Sequence, residues 1–276
     1  SVNSKLNDMT ARVSALEDNE NVLTTAQNSS AGSGESTVSS VQTGLAASEV
    51  YDLACQQVVG ISSEITYTNF FGMSSAAAVS GSGFIITADG YILTNYHVIE
   101  TAYKNNADIT VMTHDGTKYT ASVVGFEEDN DVAVLKIDGE NLPHATIGDS
   151  NSMKVGDIVY AVGNPLGELD FSMTTGYVSA LDRLISTSTN SESINMFQFD
   201  AAVNSGNSGG PVYNNKGEVI GVVTAKYSES GVEGLSFAIP INDAASIAND
   251  LITKGYVTGK AYMGVTIRND YNSMYA

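Results

Sequence analysis

The chain has 276 residues, with 12 Lys and Arg against 31 Asp and Glu, a formal net charge of −19. So acidic a surface repels phosphate backbones and anionic lipid, which excludes nucleic acid and a membrane surface as its main partners. A single cysteine, Cys55, excludes an intrachain disulfide, so the fold must rest on its core, and the length suffices for one large β domain or two modest ones.

The chain opens at Ser1 rather than Met, which reads as processing or trimming, with a signal or anchor segment expected ahead of it. Residues 1–24 place Val2, Leu6, Met9, Val13, Leu16, Glu20 and Leu23 at alternating spacings of four and three, a heptad seam whose only polar member is Glu20. This predicts a short coiled coil or, since three heptads are marginal alone, a disordered arm. Residues 25–49 are rich in Ser, Thr, Gly and Ala with little to bury, and read as a flexible linker.

From residue 50 the texture changes to short apolar runs between turn residues, such as "GFIITADGYILTNYHVI", "DVAVLKI", "DIVYAVGN" and "GPVYNNKGEVIGVVTAKY". Val, Ile, Tyr and Thr dominate, and "ADG", "HDG" and "NNKG" read as hairpin turns, so the expectation is an all-β barrel or sandwich. A helical pattern is read only over residues 242–254, with Asn242 as its cap.

"NSGNSGGPV" sets Ser208 in a glycine-rich turn, where a nucleophile would need a base, a carboxylate to orient the base, and amide donors for an oxyanion. Of three histidines, His114 and His144 lie in loop-like stretches, whereas His97 closes the apolar run "GYILTNYHVIE" and is expected at the end of a strand. Asp131 heads directly into Val132, Ala133, Val134 and Leu135, and a carboxylate so placed needs a donor, which His97 supplies. The acidic loop Glu127–Asp129 has no calcium-loop spacing, so no metal or other cofactor is expected. Gly206-Asn207-Ser208-Gly209-Gly210 formally matches the G-x-S-x-G elbow of α/β-hydrolases, but no histidine follows Ser208, as that fold requires. The remaining order is His97, Asp131, Ser208, that of chymotrypsin-like β-barrel proteases.

"TNYHVI", "DNDVAVLKI", "AVGNPLG", "TTGYVSAL", "FDAAVNSGNSGGPV" and "LSFAIPI" resemble, in order and spacing, the protease domain of the HtrA (Do-like) family over roughly residues 50–258. The resemblance implies two six-stranded β-barrels of chymotrypsin type with a C-terminal helix. It implies an ATP-independent serine endopeptidase acting on unfolded or regulatory proteins outside the cytoplasm, in the cell envelope or secreted. A trimer is expected, with membrane contact only through a segment this chain does not contain. "AYMGVTIRND" resembles the opening of a PDZ domain, so residues 259–276 read as the start of one or as a tail.

On this reading His97 is the base, Asp131 fixes its tautomer, and the amides of Gly206 and Ser208, with Asn207 between them, form the oxyanion hole. Thr94, three residues before His97, is expected to donate to Asp131. Ala202 is expected to floor the specificity pocket, with Leu235, Ser236 and Phe237 of "GLSFAI" as its wall. The alternative function is a chaperone-like binder of unfolded chains with minor or latent proteolysis.

Overall fold

The computed structural model describes residues 44–68, 74–164, 171–186, 193–225 and 235–258. The expected coiled coil over 1–24, nearly all of the linker and the PDZ-like tail lie outside the described residues.

Strands β1 (Val58–Thr68), β2 (Ser74–Ile85), β3 (Tyr91–Thr94), β4 (Ile109–Met112), β5 (Lys118–Glu127) and β6 (Val132–Lys136) close into a barrel in the order β1-β2-β3-β6-β5-β4. Seven further strands follow: β7 (Thr146–Ile147), β8 (Ile158–Gly163), β9 (Ser172–Ser186), β10 (Ser193–Phe199), β11 (Pro211–Tyr213), β12 (Glu218–Val223) and β13 (Ser236–Pro240). Their order is β11-β8-β9-β10-β13-β12-β7, and a pairing of β11 with β12 closes six of them into a second barrel, leaving β7 as a parallel addition to β12. The all-β expectation of two six-stranded barrels is met.

The uninterrupted apolar runs have a direct cause. On β6, Val132 and Val134 face one core cluster while Ala133 and Leu135 face another; on β8, Tyr160 and Val162 face the first and Val159 and Ala161 a third. Two clusters fill the barrels, and the one that receives both β6 and β8 is the seam between them, so these strands are buried on both faces. Beyond Ser62, β1 and β2 pair only with each other, out to Thr68 opposite Ser74, and so continue as a two-stranded ribbon past the barrel wall.

Helix α1 (Ala47–Gln57) begins inside the stretch read as linker. Alanine's high helix propensity and the Glu49 side chain, which accepts from the Ala46 amide at 2.7 Å, give it a start, and Val50, Ala54 and Cys55 bury its face. Tyr51 Oη donates to the Phe171 carbonyl and Tyr213 Oη to Gln57 Oε1, fastening the helix to the second barrel. Helix α2 (Tyr96–Lys104) was not expected from the sequence, and its cause belongs to the site described below. Helix α3 (Ile241–Lys254) runs where the pattern placed it, but Pro240 takes the N-cap position. Asn242 lies within its first turn and instead joins the Asp149–Ser150 turn, accepting from Ser150 N and donating to Asp149 Oδ1. Gly255, at φ 77°, ends the helix in the left-handed conformation that glycine adopts without strain.

Asp250 on α3 accepts from Lys254 Nζ and from both the amide and the hydroxyl of Thr258. These partners, Lys254 first, hold its carboxyl well below the usual carboxylate range. A depressed carboxyl stabilises the fold above its unfolded pKa and loses that contribution as pH falls. Asp250→Asn is expected to lower Tm at pH 7, with the gap to wild type closing below about pH 4, as thermal melts over that range will register.

Candidate active site

Strand β3 stops at Thr94, and His97 is the second residue of α2 rather than the last of a strand. The correction has a physical reason. Asn95 holds the N-cap position without capping through its side chain; the Asp131 carboxylate does so from elsewhere in the chain, Oδ1 accepting the His97 N–H at 2.9 Å. A carboxylate there also meets the positive end of the helix. Asp131 reaches it from a left-handed backbone, φ 54°, just before β6, and its carbonyl accepts from the Tyr96 amide and from Asn95 Nδ2. Val98, Ile99 and Ala102 then bury one helix face, so tertiary context makes a helix of residues with strand propensity.

Asp131 is 2% exposed, and its Oδ2 lies 2.7 Å from His97 Nδ1. An ionised carboxylate only accepts, so Nδ1 carries the proton and the Nε2 lone pair is left to act as a base. Oδ2 also accepts from Thr224 Oγ1 at 3.3 Å. Thr224 directly follows strand β12 of the second barrel, so the carboxylate is held from both barrels. Thr94 does not take that part: its hydroxyl donates to the Ser82 carbonyl at 2.7 Å. Sequence spacing pointed to the wrong threonine because proximity to His97 along the chain does not set the direction of a side chain from a strand.

Ser208 follows a 3₁₀ turn, Ser205–Asn207, and is 2% exposed. Gly209 needs its glycine, since at φ 82° an added Cβ would collide with the Ser82 carbonyl and Thr94 Oγ1. Gly81 packs between Val98 of α2 and the Ser208 carbonyl: a Cβ there would stand 2.8 Å from both Val98 Cγ atoms and 3.2 Å from that carbonyl. The structure joins His97 to Asp131, and the adjacent Thr224 and Ala225 bond Asp131 and Ser208 Oγ respectively. It does not join Ser208 to that pair, because Ser208 Oγ accepts from the Ala225 amide at 3.2 Å and makes no hydrogen bond to His97.

The expected oxyanion donors are likewise only partly arranged. The Gly206 N–H donates to Asn204 Oδ1 at 3.1 Å, a partner within its own loop. The Gly206 carbonyl turns inward to Ser82 Oγ at 2.7 Å. Asn207 is buried, and its Oδ1 has no partner among the described residues.

The expected pocket residues divide between two environments. Ser236 is buried with its hydroxyl on the Ala201 carbonyl at 2.7 Å, next to exposed Ala202, whose carbonyl accepts from Thr174 Oγ1. Phe237, one residue on, packs against the seam cluster, as strand alternation requires, and Leu235 is half-buried. His114 stacks edge-on against Phe171, and His144 Nδ1 lies 3.1 Å from the Leu142 carbonyl; neither belongs to this site.

A family model described as the trypsin-like peptidase domain matches residues 81–222. A probable periplasmic serine endoprotease, DegP-like, of Halomonas elongata is 46% identical over 198 residues, covering 71% of this chain and 40% of the relative. The serine protease Do-like HtrA of Bacillus subtilis is 41% identical over 225 residues, 76% of this chain and 49% of that protein. The chain therefore spans between two fifths and half of the length of these relatives. Among solved structures, the HtrA-type protease AlgW with decapeptide superimposes with a TM-score of 0.65 at 31% identity over 76% of this chain and 69% of that one. Deg5 gives a TM-score of 0.63 at 34% identity, with 95% of its chain covered.

Asp131→Asn is expected to lower kcat by about 10,000-fold, the size of effect a wrong imidazole tautomer has in this class of triad. Thr224→Val, which removes one donor to the buried carboxylate, should cost about tenfold while Thr94→Val leaves the His97–Asp131 pair intact. Steady-state kinetics on a fluorogenic peptide, with crystal structures of both threonine variants, check this ordering.

Proposed function

The chain belongs to the trypsin-like peptidase family, in its HtrA-type branch, and from that premise we propose that it is an ATP-independent serine endopeptidase using Ser208, His97 and Asp131. The observation that carries the reading is the 2.7 Å contact of His97 Nδ1 with a buried carboxylate that Thr224 also donates to, while the next residue, Ala225, donates to Ser208 Oγ.

In the reaction Ser208 Oγ leaves the Ala225 amide and turns to His97. His97 Nε2 takes the hydroxyl proton as Oγ attacks the scissile carbonyl, and the new imidazolium is stabilised by Asp131. The tetrahedral oxyanion is received by the amides of Ser208 and Gly206, the latter released from Asn204 Oδ1. Collapse passes the proton to the leaving amine and leaves an acyl group on Ser208, which water then removes by the same steps in reverse.

Ala202 and Ser236 offer the approaching side chain a small floor without charge, with Leu235 beside it. An unpaired charge buried there would cost several kcal/mol, so cleavage follows small to medium apolar residues. Such residues are hidden in folded proteins, which makes unfolded chains the substrates. The relatives named periplasmic support a location outside the cytoplasm, and the resemblance to the HtrA family implies a homotrimer.

A second reading, chaperone-like binding with latent proteolysis, draws on Ser208 Oγ and the Gly206 amide both being engaged away from catalytic partners. Casein digestion separates the two. The protease reading expects wild type to cleave casein and to be labelled by a fluorophosphonate, with Ser208→Ala inert to both and His97→Ala slower by several orders of magnitude. Casein protected from aggregation but not cut, at any pH from 6 to 9, would favour the binder. Mass spectrometry of the cut sites is expected to show Val, Ala, Leu, Ile or Met before the scissile bond; a majority of Lys or Arg there would refute the neutral pocket.

A further inference from the structure

Ser82, on β2 of the first barrel, is fully buried and uses every polar group it has. Its N–H donates to the Ser208 carbonyl at 2.8 Å, its Oγ donates to the Gly206 carbonyl at 2.7 Å, that Oγ accepts from the Asn164 amide at 2.8 Å, and its carbonyl accepts from Thr94 Oγ1 at 2.7 Å. One residue of the first barrel thus grips two carbonyls of the nucleophile loop on the second, together with the end of β8 and with β3.

The two carbonyls are not equivalent to the two amides an oxyanion would use; they alternate with them. The peptide unit joining Gly206 to Asn207 is pinned at both ends, its oxygen by Ser82 Oγ and its N–H by the Asn204 carbonyl at 3.0 Å. The unit joining Ser208 to Gly209 is pinned in the same way, its oxygen by the Ser82 amide and its N–H by the Val223 carbonyl at 2.9 Å. Between them lies the unit that carries the Ser208 amide. Its own oxygen, that of Asn207, accepts from the Gly210 amide at 2.9 Å, so the unit is held directly as well as through both neighbours. The unit that carries the Gly206 amide lies between the Asn204 carbonyl, held by the Asn207 amide, and the Gly206–Asn207 unit, and its N–H is the one found on Asn204 Oδ1.

We infer that Ser82 is a positioning residue for peptide hydrolysis. Its hydroxyl and amide hold, from the opposite barrel, the two carbonyls that flank the Ser208 amide of the oxyanion site. The inference rests on the protease reading above for its consequence in rate, but not for the geometry it asserts. Removing the hydroxyl frees the Gly206 carbonyl and leaves it and the Asn164 amide without their partner, so the Gly206–Asn207 peptide keeps only its N–H bond to the Asn204 carbonyl and its shift displaces the Ser208 amide beside it. A donor displaced by a fraction of an ångström weakens transition-state binding far more than substrate binding.

The test uses Ser82→Ala and Ser82→Cys in the full chain. Cysteine fills the same space with a weaker donor. Rates are normalised to active sites titrated with a fluorophosphonate, so a partly unfolded sample does not count as a slow enzyme. Ser82→Ala is expected to lose roughly 10- to 100-fold in kcat per titrated site with KM within about threefold, and Ser82→Cys to fall between it and wild type. A crystal structure of Ser82→Ala is expected to show the Gly206 carbonyl turned away from its inward position. An unchanged kcat per site in either variant, or a Gly206 carbonyl still directed inward without the hydroxyl, overturns the inference. Absence of fluorophosphonate labelling in wild type overturns the protease reading instead, and the crystal structure still decides the positioning role.

Discussion

The buried carboxylate of Asp131 is the constraint around which the rest is arranged. Left alone at 2% exposure it would cost several kcal/mol, and nothing in the first barrel's apolar interior could offset it. The molecule satisfies it with the His97 amide and imidazole from the start of α2 and the Thr224 hydroxyl from the second barrel. The same three contacts begin a helix, select a tautomer and tie the barrels together. Structural and chemical demands therefore cannot be separated at this residue, and its left-handed backbone is held by the network rather than by local preference.

How much of this could be read in advance depended on whether the signal was local. The barrels were legible because β6 and β8 are buried on both faces and so appear as unbroken apolar runs between turns. Ser208, His97 and Asp131 were read from chain order, which needs no geometry. Helix α2 was not, because its cap comes from Asp131, 34 residues beyond His97, while Tyr, Val and Ile in "NYHVI" argue locally for strand. Helix α1 was hidden by a composition that serves a linker and a helix equally well until Val50, Ala54 and Cys55 find a surface to cover. The exchange of Thr94 for Thr224 and the part played by Ser82 are failures of one kind. Each is a hydrogen bond between residues distant in the chain, which no spacing encodes.

The seam cluster explains why a site split between two barrels is workable. Phe84, Leu93, Val132 and Val134 from the first barrel meet Tyr160, Val162, Tyr213 and Val222 from the second, with α1 and α3 sealing the margin. Close-packed interiors resist sliding, since any displacement opens voids or forces rotamers from their wells. The polar clasp at Ser82 and the bridge at Thr224 lie beside this packing and inherit its rigidity. Hydrogen bonds of under 3.5 Å between separate barrels would otherwise be easily lost.

The ribbon formed by the outer halves of β1 and β2 lends the molecule an uneven distribution of stability. Among the described residues these outer halves have no third strand, and a two-stranded ribbon is marginal in water, so their amides are expected to open more readily than those of the barrel. From Ser82 inward the same strand is buried and pairs with the barrel, and its amides open only when the domain unfolds. A single strand thus passes from a two-stranded ribbon to the buried barrel wall within a few residues. The boundary falls at the residue that grips the nucleophile loop, so whatever grasps or bends the ribbon pulls on a lever whose fulcrum is Ser82.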